Sequence, residues 1–168
     1  MEMFSFTFAT AVLAAVANTQ TAPASAQACT GPEYGQMDFW VGDWKLKWTG
    51  GEGVNHISKD YGGCVIEEHF DAEPSMHLQG HSVSIYSNGQ WRQNWVDNEG
   101  SYFDLAGGPQ ADGSFVLENV RVDDETPYRR MVFDNIKPDS LTWRWQGSDD
   151  QGKTWVDRWV IEYTRVKP

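Results

Sequence analysis

Beginning at Gly42, the chain alternates in character at every step. Trp44, Leu46 and Trp48 fall on one side of an extended chain, and Lys45 and Lys47 on the other. That period of two predicts a strand with one buried face. The alternation returns further on. Cys64, Ile66, Glu68 and Phe70 form one set, with Glu67 and His69 opposite. Ser82, Ser84 and Tyr86 form another. Trp91, Gln93, Trp95 and Asp97 share a side, away from Arg92, Asn94 and Val96. Turn formers separate these runs, among them Gly50-Gly51, Gly62-Gly63, Gly107-Gly108 and Pro138-Asp139. Asn88-Gly89 is the sharpest, because both central residues of a type I′ hairpin turn need positive φ.

The pattern predicts strands over 40–48, 54–60, 64–70, 77–86, 90–97, 101–106, 114–120, 128–134, 141–147 and 154–165. Beyond the N-terminal segment no stretch carries helical periodicity, so the fold class is all-β. Short connections imply an antiparallel meander. An open meander leaves two unpaired edges, so closure into a barrel of about eight to ten strands is expected.

The first 28 residues read differently. Phe4 to Ala17 is an apolar run of 14 residues, too short for the ~20 that span a bilayer. Ala26-Gln27-Ala28 has the small-x-small pattern of a signal-peptidase site. The segment 1–28 is therefore expected to be a removed signal peptide, leaving 29–168 as one periplasmic or secreted domain. Glu2 stands where such signals carry Lys or Arg; a buried N-terminal helix or a misplaced start are the alternatives. Both cysteines, Cys29 and Cys64, survive the cut, and an even count in an exported protein favours a disulfide. It would close a loop of 36 residues, a stabilisation of about 3–4 kcal/mol in the loop-entropy model. The rival is lipidation of Cys29, although Ala26-Gln27-Ala28 lacks the usual Leu.

Charge changes the picture next. The 168 residues carry 13 Lys+Arg against 24 Asp+Glu, a net charge of −11. An acidic chain repels phosphate, which argues against nucleic acid or anionic lipid as a partner. Nine Trp all lie between Trp40 and Trp159, so the aromatic material belongs to the folded part.

Two local motifs narrow the fold. Gly42-Asp43-Trp44 opens the first strand and Arg165 closes the last. This resembles the Gly-x-Trp of lipocalins and other calycins, whose indole floors the barrel beneath an Arg from the final strand. Ser148-x-Asp150-x-Gly152-x-Thr154-Trp155 resembles the Asp-box hairpin of sialidases and other β folds. Its role there is structural: Asp accepts turn amides, Gly supplies positive φ and Trp covers the hairpin. Taken in order, Asp38 to Trp44, Gly63-Cys64 with Glu68, Trp91 to Asp97 and the Asp-box are similar to a bacterial family of exported lipocalin-like proteins. That resemblance implies a calycin-type barrel and no particular reaction.

The inward sets suggest a cavity with aromatic walls and a few placed polar groups, which is what a small-ligand pocket needs. The expected ligand is a small hydrophobic or aromatic molecule. Ser82, Ser84, Tyr86, Trp91, Gln93, Trp95, Arg144 and Trp159 are the binding candidates, in a monomer that needs no cofactor and no metal. The alternative for the Trp residues is that they simply fill the barrel, as in an envelope structural module. Glu68, a carboxylate on an apolar face, is the candidate acid or base of a cofactor-independent isomerase, cyclase or hydrolase. Its other reading is a buried partner for Arg130 or Arg144. His77, Gln79 and His81 could share a face unless Gly80 introduces a bulge. No nucleotide, metalloprotease or serine-hydrolase fingerprint is present.

Overall fold

Period-two patterning becomes a pleated wall in the computed structural model, which describes residues 29–125 and 127–167. Residues 1–28, expected to be a signal peptide, lie outside the described residues. Ten strands follow one another: β1 (Gly42–Trp48), β2 (Gly51–Asp60), β3 (Val65–Asp71), β4 (Gln79–Ser87), β5 (Gln90–Asp97), β6 (Tyr102–Pro109), β7 (Phe115–Asn119), β8 (Tyr128–Lys137), β9 (Ser140–Ser148) and β10 (Val156–Arg165). Each pairs antiparallel with the next, and β10 returns to β1, so the sheet is a closed barrel. Closure removes the two edges that an open meander would expose. Among the described residues no helix is long and apolar enough to cross a membrane.

The register fixes which side chains face inward. On β1, Trp44 and Leu46 are buried while Lys45 and Lys47 are exposed. Ile66, Glu68 and Phe70 of β3 are buried, as are Ser82 and Ser84 of β4 and Trp91 and Gln93 of β5. The β4–β5 hairpin turns at Asn88 (φ 53°) and Gly89 (φ 82°), the two positive values that a type I′ turn demands. Pairing across Gly80 is unbroken on both sides, with no bulge there. His77 precedes β4 and so does not share a strand face with His81.

With ten antiparallel strands, the start of β1 and the end of β10 lie at one end of the barrel, and that end is plugged. Residues 30–41, apart from a short 3-10 turn at Pro32–Gly35, run as turns across it. Residues 40 and 41, expected in the first strand, belong to this plug. Met37 and Trp40 are fully buried, and Trp40 packs edge-on against Phe133 with ring centroids 5.1 Å apart. The Cys29–Cys64 disulfide, Cα–Cα 5.1 Å, ties the start of the plug to the residue preceding β3. A cystine sulfur is unavailable for the acylation that a lipoprotein would require.

Gly42 lets β1 leave the plug. Its φ of 132° is in the region that favours glycine, and a Cβ there would collide with the Arg165 guanidinium. Arg165 closes the same corner. Its guanidinium carbon sits 4.0 Å from the Trp44 ring centroid, and its nitrogens donate to the carbonyls of Phe39, Val41 and Pro138 at 2.5–2.8 Å.

Candidate functional site

The other end of the barrel is open. There the inward side chains leave a cavity of about 120 Å³. Its walls are Phe70, Trp95, Phe103, Trp143, Trp145 and Trp159, with Leu78, Leu105, Met131 and Ile161 between them. Glu68, Asp97 and Tyr163 contribute its polar surface. Drug-sized pockets run to roughly 300–1,000 Å³, whereas a cavity of ~150 Å³ accepts benzene. The space therefore suits a ligand of about one ring.

Each wall has a local cause. Trp95 pairs with Ser82 in the β4–β5 register, and its indole lies over the neighbouring inward position of β4, Gly80, where any Cβ would strike the ring. Trp159 faces inward after a register shift between Asp157 and Trp159 on β10, a bulge that re-aims the strand. Trp143 and Trp145 occupy successive inward positions of β9 and are parallel, with ring centroids 6.5 Å apart. Trp159 stands nearly perpendicular to Trp143 (87°) and to Phe70 (82°), so the walls meet at right angles. The indole nitrogen of Trp159 is buried without a hydrogen-bond partner among the described residues.

Below the aromatic walls lies a buried polar cluster. Asn55 Nδ2 donates to Glu68 Oε1 at 2.7 Å and lies 3.1 Å from the Tyr163 hydroxyl. Ser82 Oγ donates to Glu68 Oε2 at 2.6 Å. Burial pushes the Glu68 carboxyl up to about 7, against the lowering effect of the Ser82 and Asn55 hydrogen bonds. Burial, then the neighbouring Glu68 charge, raises the Tyr163 phenol well above its ordinary value. Asp97, at the rim, is held below the usual carboxylate range despite partial desolvation. Trp95 Nε1 donates to it at 2.9 Å, as do the amides of Glu99 and Ser101.

The predicted residues thus divide. Glu68, Trp95 and Trp159 line the cavity. Ser82 contacts it only through Glu68. Ser84 and Gln93 lie deeper, where Gln93 Nε2 donates to Ser84 Oγ at 2.9 Å. Tyr86 and Trp91 face inward at the plugged end: Tyr86 packs on Tyr34, and Trp91 Nε1 donates to Gln36 Oε1 at 3.1 Å. Arg144 is not in the barrel. It points outward, with Nε and Nη1 each 2.6 Å from a carboxylate, those of Asp134 and Asp157. Arg130 is also outside, over the Trp155 ring at 4.2 Å, so Glu68 has neutral partners and no arginine.

In the β9–β10 hairpin, Ser148 Oγ accepts from the Gly152 amide at 2.8 Å. Asp150 accepts from Thr154 N and Oγ1 at 2.8 and 2.6 Å, and these bonds lower its carboxyl to about 2. Among the described residues no group of three His, Cys, Asp or Glu side chains converges as a metal site would require.

Trp143, Trp145, Phe103 and Tyr163 were not among the expected binding residues. Trp143 and Trp145 were legible by the same alternation, since they flank Arg144 in sequence and must face opposite to it. Set against family models and curated proteins, the chain matches none. The chemistry of the cavity is therefore read from its own residues.

Proposed function

We propose that the protein is an exported, lipocalin-like binding barrel that holds a small hydrophobic or aromatic molecule as a monomer in the periplasm or outside the cell. The observation that carries this is the asymmetry of the barrel: one end is plugged by residues 30–41 and the other opens onto an aromatic-walled cavity. Apolar walls supply affinity, and Glu68 and Asp97 supply orientation. The Cys29–Cys64 bridge supports an oxidising compartment.

Titration with single-ring compounds, followed by Trp fluorescence, tests the reading. Binding is expected to change the emission of the intact protein and to be lost in Trp159→Ala, while Trp155→Phe, on the outer hairpin, keeps it. A panel that leaves emission unchanged, or equal binding by Trp159→Ala, overturns the reading.

One observation favours a second reading, in which the same cavity catalyses a cofactor-independent reaction. Glu68, with its carboxyl at about 7, is poised to give or take a proton near neutrality. Under that reading Glu68→Gln abolishes turnover of a bound compound but leaves its binding intact.

A further inference from the structure

Among the side chains lining the cavity there is no lysine, arginine or histidine; its ionisable groups are Glu68, Asp97 and Tyr163. An uncharged aromatic ligand offers these carboxyl groups no opposite charge, and it would cover Asp97 at the rim without replacing the water there. A carboxylate or phosphate ligand would be repelled. A cation changes the balance in three ways. Indole faces attract it through their quadrupoles, most strongly when it is poorly hydrated. Asp97 supplies a fixed negative charge at the rim, held by three hydrogen-bond donors. Glu68 supplies a second at the base. A metal ion fits poorly, since a hard cation wants six or more oxygen ligands and these walls are mostly carbon. The net charge of −11 draws cations toward the molecule as a whole.

We infer that the cavity selects an organic cation, a substituted ammonium group carried on about one ring, seated among Trp95, Trp143, Trp145 and Trp159 and countered by Glu68 and Asp97. This rests on the reading of the cavity as a small-molecule site. Cation binding is then coupled to the proton on Glu68. The groups facing that carboxyl are Asn55 from β2, Ser82 from β4 and Tyr163 from β10. Asn55 and Ser82 do not titrate, and Tyr163 stays neutral through the neutral range. Glu68 is thus the group in the cavity that changes charge there. A bound ammonium favours its ionised form, so a proton is released on binding and affinity rises between pH 5.5 and 8.

The test compares phenyltrimethylammonium with its uncharged isostere tert-butylbenzene, titrated against the full chain and followed by Trp fluorescence. The cation is expected to bind at least tenfold more tightly at pH 8. That advantage should shrink at pH 5.5 and in Glu68→Gln, and Asp97→Asn should reduce it at both pH values. Equal or tighter binding of tert-butylbenzene overturns the charge selectivity while leaving the small-molecule site in place. A cation preference with the same size at pH 5.5 and 8 removes Glu68 from the selection. Failure of both probes to bind overturns the selectivity and the binding site together.

Discussion

Glu68 is a carboxyl placed where ionisation is expensive. Its two oxygens accept from Asn55 and Ser82, and no cationic side chain offsets the loss of water. The folded protein therefore holds this proton up to about pH 7, against an ordinary value of 4.5. The unfolded chain releases it earlier. Between those two pH values the folded state binds more protons than the unfolded one, so this group lowers stability as pH rises through the interval. The gap corresponds to roughly 3 kcal/mol once pH exceeds 7. Glu68→Gln keeps the shape and remains neutral, and the Ser82 hydroxyl can donate or accept as the amide requires. Urea unfolding should show the variant more stable than the parent at pH 8, by on the order of 3 kcal/mol. The two should nearly coincide at pH 4.5. An equal gap at both values would show that Glu68 ionisation is not the cause. A carboxyl buried at this cost fits the role in the cavity proposed for Glu68.

At the scale of the strand, alternation carried most of what could be known in advance. It located ten strands and gave the inward sets of β1, β3 and β5, because one buried face imposes a period of two. What it could not give is depth along the barrel axis. Trp91 and Trp95 share a side of β5, yet Trp91 meets the plug and Trp95 the cavity. That distinction depends on residues 30–41, which carry no periodic signal and fold only against the barrel end. Arg144, expected in the pocket, alternates with Trp143 and Trp145 and so lies on the outward face of β9, where Asp134 and Asp157 pair with it. Gly80 shows the opposite case, a residue whose meaning is spatial. It reads as a weak point in β4, yet its missing side chain is what makes room for the Trp95 indole. Gly80→Ala should cost about 1–3 kcal/mol, the usual penalty of overpacking, and weaken binding of a ring-sized ligand by displacing Trp95. Thermal melts together with the fluorescence titration check both. A variant with full stability and unchanged affinity would show that Trp95 has room to spare.

The molecule as a whole separates stability from binding along its axis. The plugged end holds the disulfide, the Arg165 corner and the packing of Phe39, Trp40, Phe115 and Phe133. The open end holds the Trp walls and the hydrogen-bonded hairpin between β9 and β10. An even number of antiparallel strands makes this possible, since it brings the first and last residues of the domain to the same end. The chain leading into β1 can then cover that end, and Arg165 can bind the covering segment from the last strand. Removing the cross-link should consequently reduce stability without touching the cavity. Cys29→Ser with Cys64→Ser frees a 36-residue loop in the unfolded chain, a loss of about 3–4 kcal/mol in the loop-entropy model. Lys59 still holds the segment in the folded state, donating to the Tyr34 carbonyl at 2.9 Å and to Asp38 at 2.5 Å. The double variant should therefore unfold at lower urea concentration yet bind ring-sized ligands with the parent's affinity while folded. Affinity that fell together with stability would mean that the plug sets the shape of the cavity through the barrel wall, and that the two ends are mechanically one.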